Sequence, residues 1–215
     1  MKKTKKTQIA SVVGLIAILV IMGFGFISCN DPTKCNKKCL KIGDTGPGGG
    51  IIFYHAHAGY PISDFKFYYL EATPEDQGYL PWSSNSFIPG LQDFQLAIRG
   101  GLGRGKENSA LILSSFPNAQ AAKACADYRG GGKDDWYLPN TDELKMMFDN
   151  KDILGMNPEK LTQENSRVAG GISDVTAYWS SIKKDLQPSR VVWSGGSVST
   201  WPYEAPLYVR AIRAF

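Results

Sequence analysis

Nineteen consecutive residues, IASVVGLIAILVIMGFGFI from Ile9 to Ile27, contain no charge and one polar side chain, Ser11. The eight residues before them carry four lysines and no acid. A basic flank followed by an apolar run is an export signal. The run is also long enough to cross a bilayer as a helix. Either way, the N-terminal segment is set apart from the fold, and everything after it is expected to fold on the far side of a membrane.

The run closes on Phe26-Ile27-Ser28-Cys29. Two apolar residues, a small residue and a cysteine resemble a bacterial lipobox, in which cleavage before Cys29 leaves a sulfur that carries diacylglycerol. The other reading is an uncleaved transmembrane anchor with an incidental cysteine. The lipobox divides the chain into a signal peptide over residues 1–28, a tether over 29–41 and a domain over 42–215. It predicts an exported, lipid-anchored protein of the cell envelope, held to the membrane through Cys29. Four of the 24 basic residues and none of the 20 acidic ones precede Cys29, so the rest balances at 20 against 20. A neutral body lacks the basic stripe that phosphate neutralisation needs, which argues against nucleic acid as a partner.

Export permits disulfides. Cys35, Cys39 and Cys125 remain after Cys29. The first two could pair with each other, or one with Cys125, leaving an odd thiol in both cases. CNKKC has no second cluster to complete a zinc site.

The domain opens at IGDTGPGGGIIFY, Ile42 to Tyr54. Its glycines and Pro47 predict a turn before a strand over Ile51–Tyr54. A phosphate loop would follow a strand and end in GK[ST]; this one does neither. FKFYYLEA, Phe65 to Ala72, reads as a second strand, and Thr73–Gly90 as a loop. GGLGRGKEN reads as a glycine loop presenting Arg104 and Lys106, with Asn108 capping a short helix through Leu113. A helix over Asn118–Tyr128 places Ala121, Cys125 and Tyr128 on one face, which makes Cys125 a small buried hydrophobe.

DDWYLPNTDEL, Asp134 to Leu144, reads as an extended segment feeding a capped helix. Asn140 is the cap and Glu143, three residues on, reaches back to it. Leu144, Met147 and Phe148 then face the core. Asp142 and Glu143 suit the positive end of the helix dipole better than acid–base catalysis. Later strands are predicted over Ala177–Ile182, Arg190–Ser194, Ser197–Trp201 and Tyr208–Phe215, with Gly195-Gly196 as a two-residue hairpin turn. The expected class is α+β, with short helices, several short antiparallel strands and long loops.

His55 and His57 alternate in HAH and would share a strand face, but no third metal ligand stands near, so no metal is expected. No GxSxG elbow accompanies these two histidines, the only ones in the chain, and no catalytic residue or cofactor is assigned. Arg210 and Arg213 are expected to pair with acids such as Asp135 or Glu143. Trp136 and Trp179 read as core. A two-residue turn pairs Trp193 with Val198 and puts Trp201 on a face with Ser194, Ser197 and Ser199, open to solvent. An exposed flat ring suits stacking on a sugar or packing on a partner.

GRGKENS, AAKAC, DDWYLPNTDEL, AYWSS, WSGGSVS and YVRAIRAF, in this order, resemble the Lcl C-terminal domain family of bacterial surface proteins. The resemblance implies a C-type-lectin-like fold, shared with formylglycine-generating enzymes. It also implies a surface-binding role; the family's namesake is implicated in glycosaminoglycan adhesion. YVRAIRAF lacks the cysteine of the oxidases, and the chain lacks the WND and EPN-like pattern of calcium-dependent lectins. The expected function is therefore non-enzymatic binding of a glycan or extracellular matrix ligand through Arg104, Lys106 and Trp201. The alternative is an assembly module that binds another envelope protein.

Overall fold

The computed structural model describes residues 40–56, 69–84, 100–156, 176–184, 187–193 and 195–215. The leader, Cys29, Cys35, Cys39, His57, Leu91–Ile98 and Ser194 lie outside the described residues. The strands are β1 (Ile51–His55), β2 (Tyr69–Ala72), β3 (Gly78–Pro81), β4 (Ala177–Lys184), β5 (Gln187–Val192), β6 (Ser197–Thr200), β7 (Pro206–Val209) and β8 (Ile212–Ala214). The helices are α1 (Arg104–Ser115), α2 (Gln120–Asp127) and α3 (Thr141–Asp149). The class is α+β, as the mixed pattern of the sequence predicts.

Two sheets form, ordered β1-β2-β8 and β3-β7-β4-β5-β6. All pairs are antiparallel except β4 with β7, which meet in parallel at Tyr178 and Tyr208. The five-stranded sheet separates two apolar clusters, and alternation along its strands fills both. Ala177, Trp179, Leu207 and Val209 point into one cluster, with Ile112 of α1 and Cys125 of α2. Tyr178, Val191 and Tyr208 point into the other, with Leu144 and Met147 of α3 and Leu70 of β2. This is the period-two rule of a strand applied to a sheet buried on both faces.

The Asp134–Leu144 segment divides in the same way. Trp136 and Leu138 enter the first cluster and Tyr137 the second. Tyr137 also bridges Ile212 of β8 through paired backbone bonds of 2.9 and 3.1 Å. Asn140 then caps α3: its side chain accepts from the amides of Asp142 and Glu143, both at 2.9 Å, and Glu143 accepts from the Asn140 amide at 2.7 Å. Leu144 and Met147 are buried, and Phe148 meets Trp193 edge-on at 5.5 Å.

Four expectations change. First, α1 begins at Arg104, not after Asn108, so Arg104 and Lys106 belong to a helix rather than a loop. Gly103 starts it in the left-handed region, at φ 84°. The buried face of α1 is Gly105, Asn108, Ser109 and Ile112, which is helical spacing with almost no apolar residue. Ser109 Oγ exchanges bonds with the Leu138 backbone at 3.0 and 3.1 Å, so this face is held by polar contacts that hydrophobic periodicity does not register.

Second, Thr73–Gly90 is not all loop, because β3 lies within it and pairs with β7. Third, the last strand is two. β7 belongs to the five-stranded sheet and β8 to the three-stranded one, and the chain changes sheets at Arg210-Ala211. Fourth, the β5–β6 pairs are Val192 with Ser197, Val191 with Val198 and Arg190 with Ser199. The connection is therefore the four residues 193–196, and Trp193 is not a strand residue opposite Val198. Its indole turns inward, is 1% exposed and donates to the Met156 carbonyl at 2.9 Å. The shift moves each partner by two residues, so the faces assigned to Ser197, Ser199 and Trp201 survive it.

Candidate functional site

Three buried charge centres organise the domain. In the first, the glycine-rich turn before β1 wraps a carboxylate of its own chain. Glu71, on β2 and fully buried, accepts from the Gly48 amide at 2.9 and 3.1 Å and from the Gly50 amide at 3.1 Å. A Cβ on Gly48 would lie 2.6 Å from the Trp136 ring and 2.7 Å from Glu71 Oε1, so nothing larger than glycine fits. Arg213 Nη1 binds the same Oε1 at 2.8 Å, and its Nε binds Asp135. Arg213 thus pairs with Asp135, one of the two acids expected, and with Glu71, which was not.

The second centre joins α1 to α3. Glu143 is fully buried and accepts from the amides of Asn140 and Gly103, at 2.7 and 2.8 Å, from that of Gly105, and from Tyr137 Oη at 3.2 Å. Burial pushes its pKa up to about 7 against these stabilising bonds. Asp142 accepts from the Gly101 amide at 2.6 Å, and Asn140 Nδ2 donates to the Gly101 carbonyl at 2.6 Å. The acids of the motif are therefore committed to the helix start and the turn before α1. Glu143 is a partner of neither Arg210 nor Arg213.

The third centre is the corner between β7 and β8. Arg210 Nε donates to the Thr73 carbonyl at 2.7 Å, Nη2 to the Pro74 and Leu154 carbonyls at 2.7 and 3.0 Å, and Nη1 to Asp76 at 3.1 Å. Burial raises the Asp76 pKa, and the Arg210 charge opposes that rise.

The predicted binding residues stand on different elements. Arg104 begins α1 and pairs with Glu107 at 3.0 Å. Lys106, two residues on, is exposed. Trp201 follows β6 at the edge of the five-stranded sheet, where its amide donates to the Pro188 carbonyl at 3.1 Å. It is not the open ring expected: it is half-buried against the first apolar cluster, and the Arg190 guanidinium carbon lies 3.6 Å from its ring centroid.

Cys125 is free and fully buried on α2, and burial drives its thiol pKa well above the usual value, which removes its nucleophilicity. His55 ends β1, 6.4 Å from the Tyr69 ring. Among the described residues no cluster of His, Cys, Asp or Glu could hold a metal ion. No helix among them is long and apolar enough to cross a membrane.

Glu71, Asp76 and Arg190 are charged residues that sequence reasoning passed over. Glu71 sits in an apolar run whose partners lie 21 to 142 residues away. A lone carboxylate inside the predicted strand FKFYYLEA was the available signal, since a buried carboxylate requires donors. The chain matches no protein-family model and no curated protein.

Proposed function

We propose that this is an exported, lipid-anchored binding domain with a C-type-lectin-like fold, a relative of the Lcl C-terminal domains, which takes a glycan or extracellular matrix ligand and is not an enzyme. Lipidation at Cys29 and placement in the cell envelope rest on the leader and the FISC ending. Arg104 and Lys106 at the start of α1, and Trp201 beyond β6, are the proposed ligand contacts. The observation that carries the reading is the half-exposed Trp201 at a sheet edge, on one strand face with Ser197 and Ser199. An aromatic edge beside hydroxyls suits a saccharide, which offers apolar C–H faces and hydroxyls together. Glu71, Asp76, Asp135 and Glu143 are each engaged in bonds that hold the fold, which supports a binding role over acid–base chemistry.

The test is titration of sulfated, uronic and neutral oligosaccharides into the purified protein at low and physiological salt. Binding through Arg104 and Lys106 weakens with salt, because exposed charges are screened beyond roughly 8 Å at physiological ionic strength. Trp201→Ala lowers affinity without that salt dependence. If no oligosaccharide class binds, the reading fails.

A second reading, an assembly module for another envelope protein, is favoured by β6 itself. Among the described residues β6 pairs only with β5, carries no charge, and exposes 43% of Val198. An uncharged edge strand is a template for strand addition by a partner. Co-purification of one envelope protein, lost on Val198→Lys, would support this second reading.

A further inference from the structure

We propose that Arg190, laid against Trp201, is the anchor for a single carboxylate group of an acidic saccharide. The choice of a saccharide rests on the binding role given above; the carboxylate assignment rests on the arginine.

Arg190 lies on β5 between Trp179 of β4 and Ser199 of β6. Directly opposite residues in antiparallel strands project from the same face, so Trp179, Arg190 and Ser199 form a row across the sheet. Trp201, two residues beyond Ser199, stands beside that row. The guanidinium carbon sits 3.6 Å from the Trp201 ring centroid, and Nε donates to Ser199 Oγ at 3.1 Å. Ring and hydroxyl together fix the position of the guanidinium and the roll about its long axis.

What distinguishes this arginine is what it lacks. Arg210 spends Nε and both Nη groups inside the protein, and Arg213 holds two carboxylates. Arg190 is 7% exposed, yet among the described residues it has no acidic partner and only Nε is bonded. No buried side-chain nitrogen or oxygen there lacks a hydrogen bond, so its unbonded Nη groups reach solvent. A nearly buried cation without a counter-charge is costly, and the fold retains one here. Burial lowers its pKa from the usual arginine value, which reflects that cost.

The free side of the guanidinium presents two Nη groups in one plane. A carboxylate matches two such donors with its two oxygens and supplies the single negative charge the site lacks. Arg190 is also fixed before the ligand arrives, so little side-chain entropy is lost on binding. Lysine keeps the charge but loses both the fork and the flat contact with the indole.

The experiment follows the arginine side-chain and Trp indole N–H signals of the full chain in detergent micelles by nuclear magnetic resonance. The probes are methyl glucuronoside, its neutral methyl ester and inorganic sulfate. The glucuronoside is expected to shift the Arg190 and Trp201 signals in a saturable way, with the ester silent and sulfate weaker. Arg190→Lys should weaken glucuronoside binding by about tenfold, the equivalent of one charge-assisted hydrogen bond. No shift at Arg190 in the native protein overturns the proposal without recourse to any variant. Equal binding of the ester, or an unchanged affinity in folded Arg190→Lys, does so too. Sulfate matching the glucuronoside overturns the carboxylate assignment. Oligosaccharide binding that leaves Arg190 unshifted keeps the binding role and removes this anchor. A glucuronoside shift at Arg190 with no oligosaccharide bound does the reverse.

Discussion

The turn before β1 and the turn before α1 solve one problem in two ways. Each is rich in glycine and each folds its amides around a buried carboxylate, Glu71 in the first and Glu143 in the second. Beside each carboxylate a glycine is required by close approach: a Cβ on Gly105, in the first turn of α1, would lie 2.2 Å from Glu143 Oε2, as one on Gly48 would strike Trp136. The difference is the counter-charge. Glu71 has Arg213 at 2.8 Å. Among the described residues Glu143 has no cation, only amides and a tyrosine hydroxyl, and its pKa is pushed up to about 7. Backbone dipoles suffice to seat a carboxylate in the interior, but without a positive partner they leave it titrating near neutrality.

The largest expected effect separates the two sites directly. Glu71→Ala strips Arg213 of one of its two carboxylates and empties the turn, and should cost about 3–5 kcal/mol in denaturant unfolding. Glu143→Ala orphans amides but no cation, and should cost about 1–3 kcal/mol. Equal losses would mean that Arg213 contributes nothing distinctive and that the comparison is wrong.

The next effect is one of pH. The native pKa of Glu143, about 7, lies above its usual 4.5. Between these values the native state holds a proton that the unfolded state has released. The associated stability is complete below 4.5 and is lost as pH rises through 7, in total on the order of 3 kcal/mol. Asp76, whose pKa burial also raises, contributes with the same sign. Glu143→Gln should flatten the decline in unfolding free energy between pH 5 and 7.5, whatever it costs at a fixed pH. A slope identical to that of the native protein would remove Glu143 as its source.

The smallest effect concerns what holds the second turn in place. Asn140→Ala loses the α3 cap and the bond to the Gly101 carbonyl, and should cost about 1 kcal/mol by thermal or chemical unfolding. A glycine in its place should recover most of the cap but not the bond to Gly101, so the two contributions can be read apart.

What was legible in the sequence follows from the range of the interactions. The cap of α3 is complete within four residues, Asn140 to Glu143, and was read with both partners correct. Strand alternation is equally local, and it placed Trp136 and Trp179 in the core. Cys125 was placed by helical spacing. Glu71 was not found, because its donors come from a turn and a terminal strand far from it in sequence. YVRAIRAF read as one strand because nothing inside it marks the change of sheet; Arg210 makes the corner through the carbonyls of Thr73, Pro74 and Leu154 and the carboxylate of Asp76, all distant in sequence. The proposed contacts divide likewise. Strand alternation singles out Trp201 by its face but not its half-burial against the first cluster, and it does not single out Arg190, whose isolation from acids is visible only once the acids are placed.

The change of sheet at Arg210 also has a consequence for biosynthesis. A ribosome, or an export channel threading the chain from its N-terminus, releases β7 and β8 after all the other described strands. Until then β3 has no neighbour, β4 lacks the one on its β7 side, and β2 has only β1. Neither sheet can be completed by a nascent chain that stops short of residue 206. Completion of both sheets is therefore held back to the emergence of the last strands, and a product cut short there would present unfinished sheet edges that proteases can recognise.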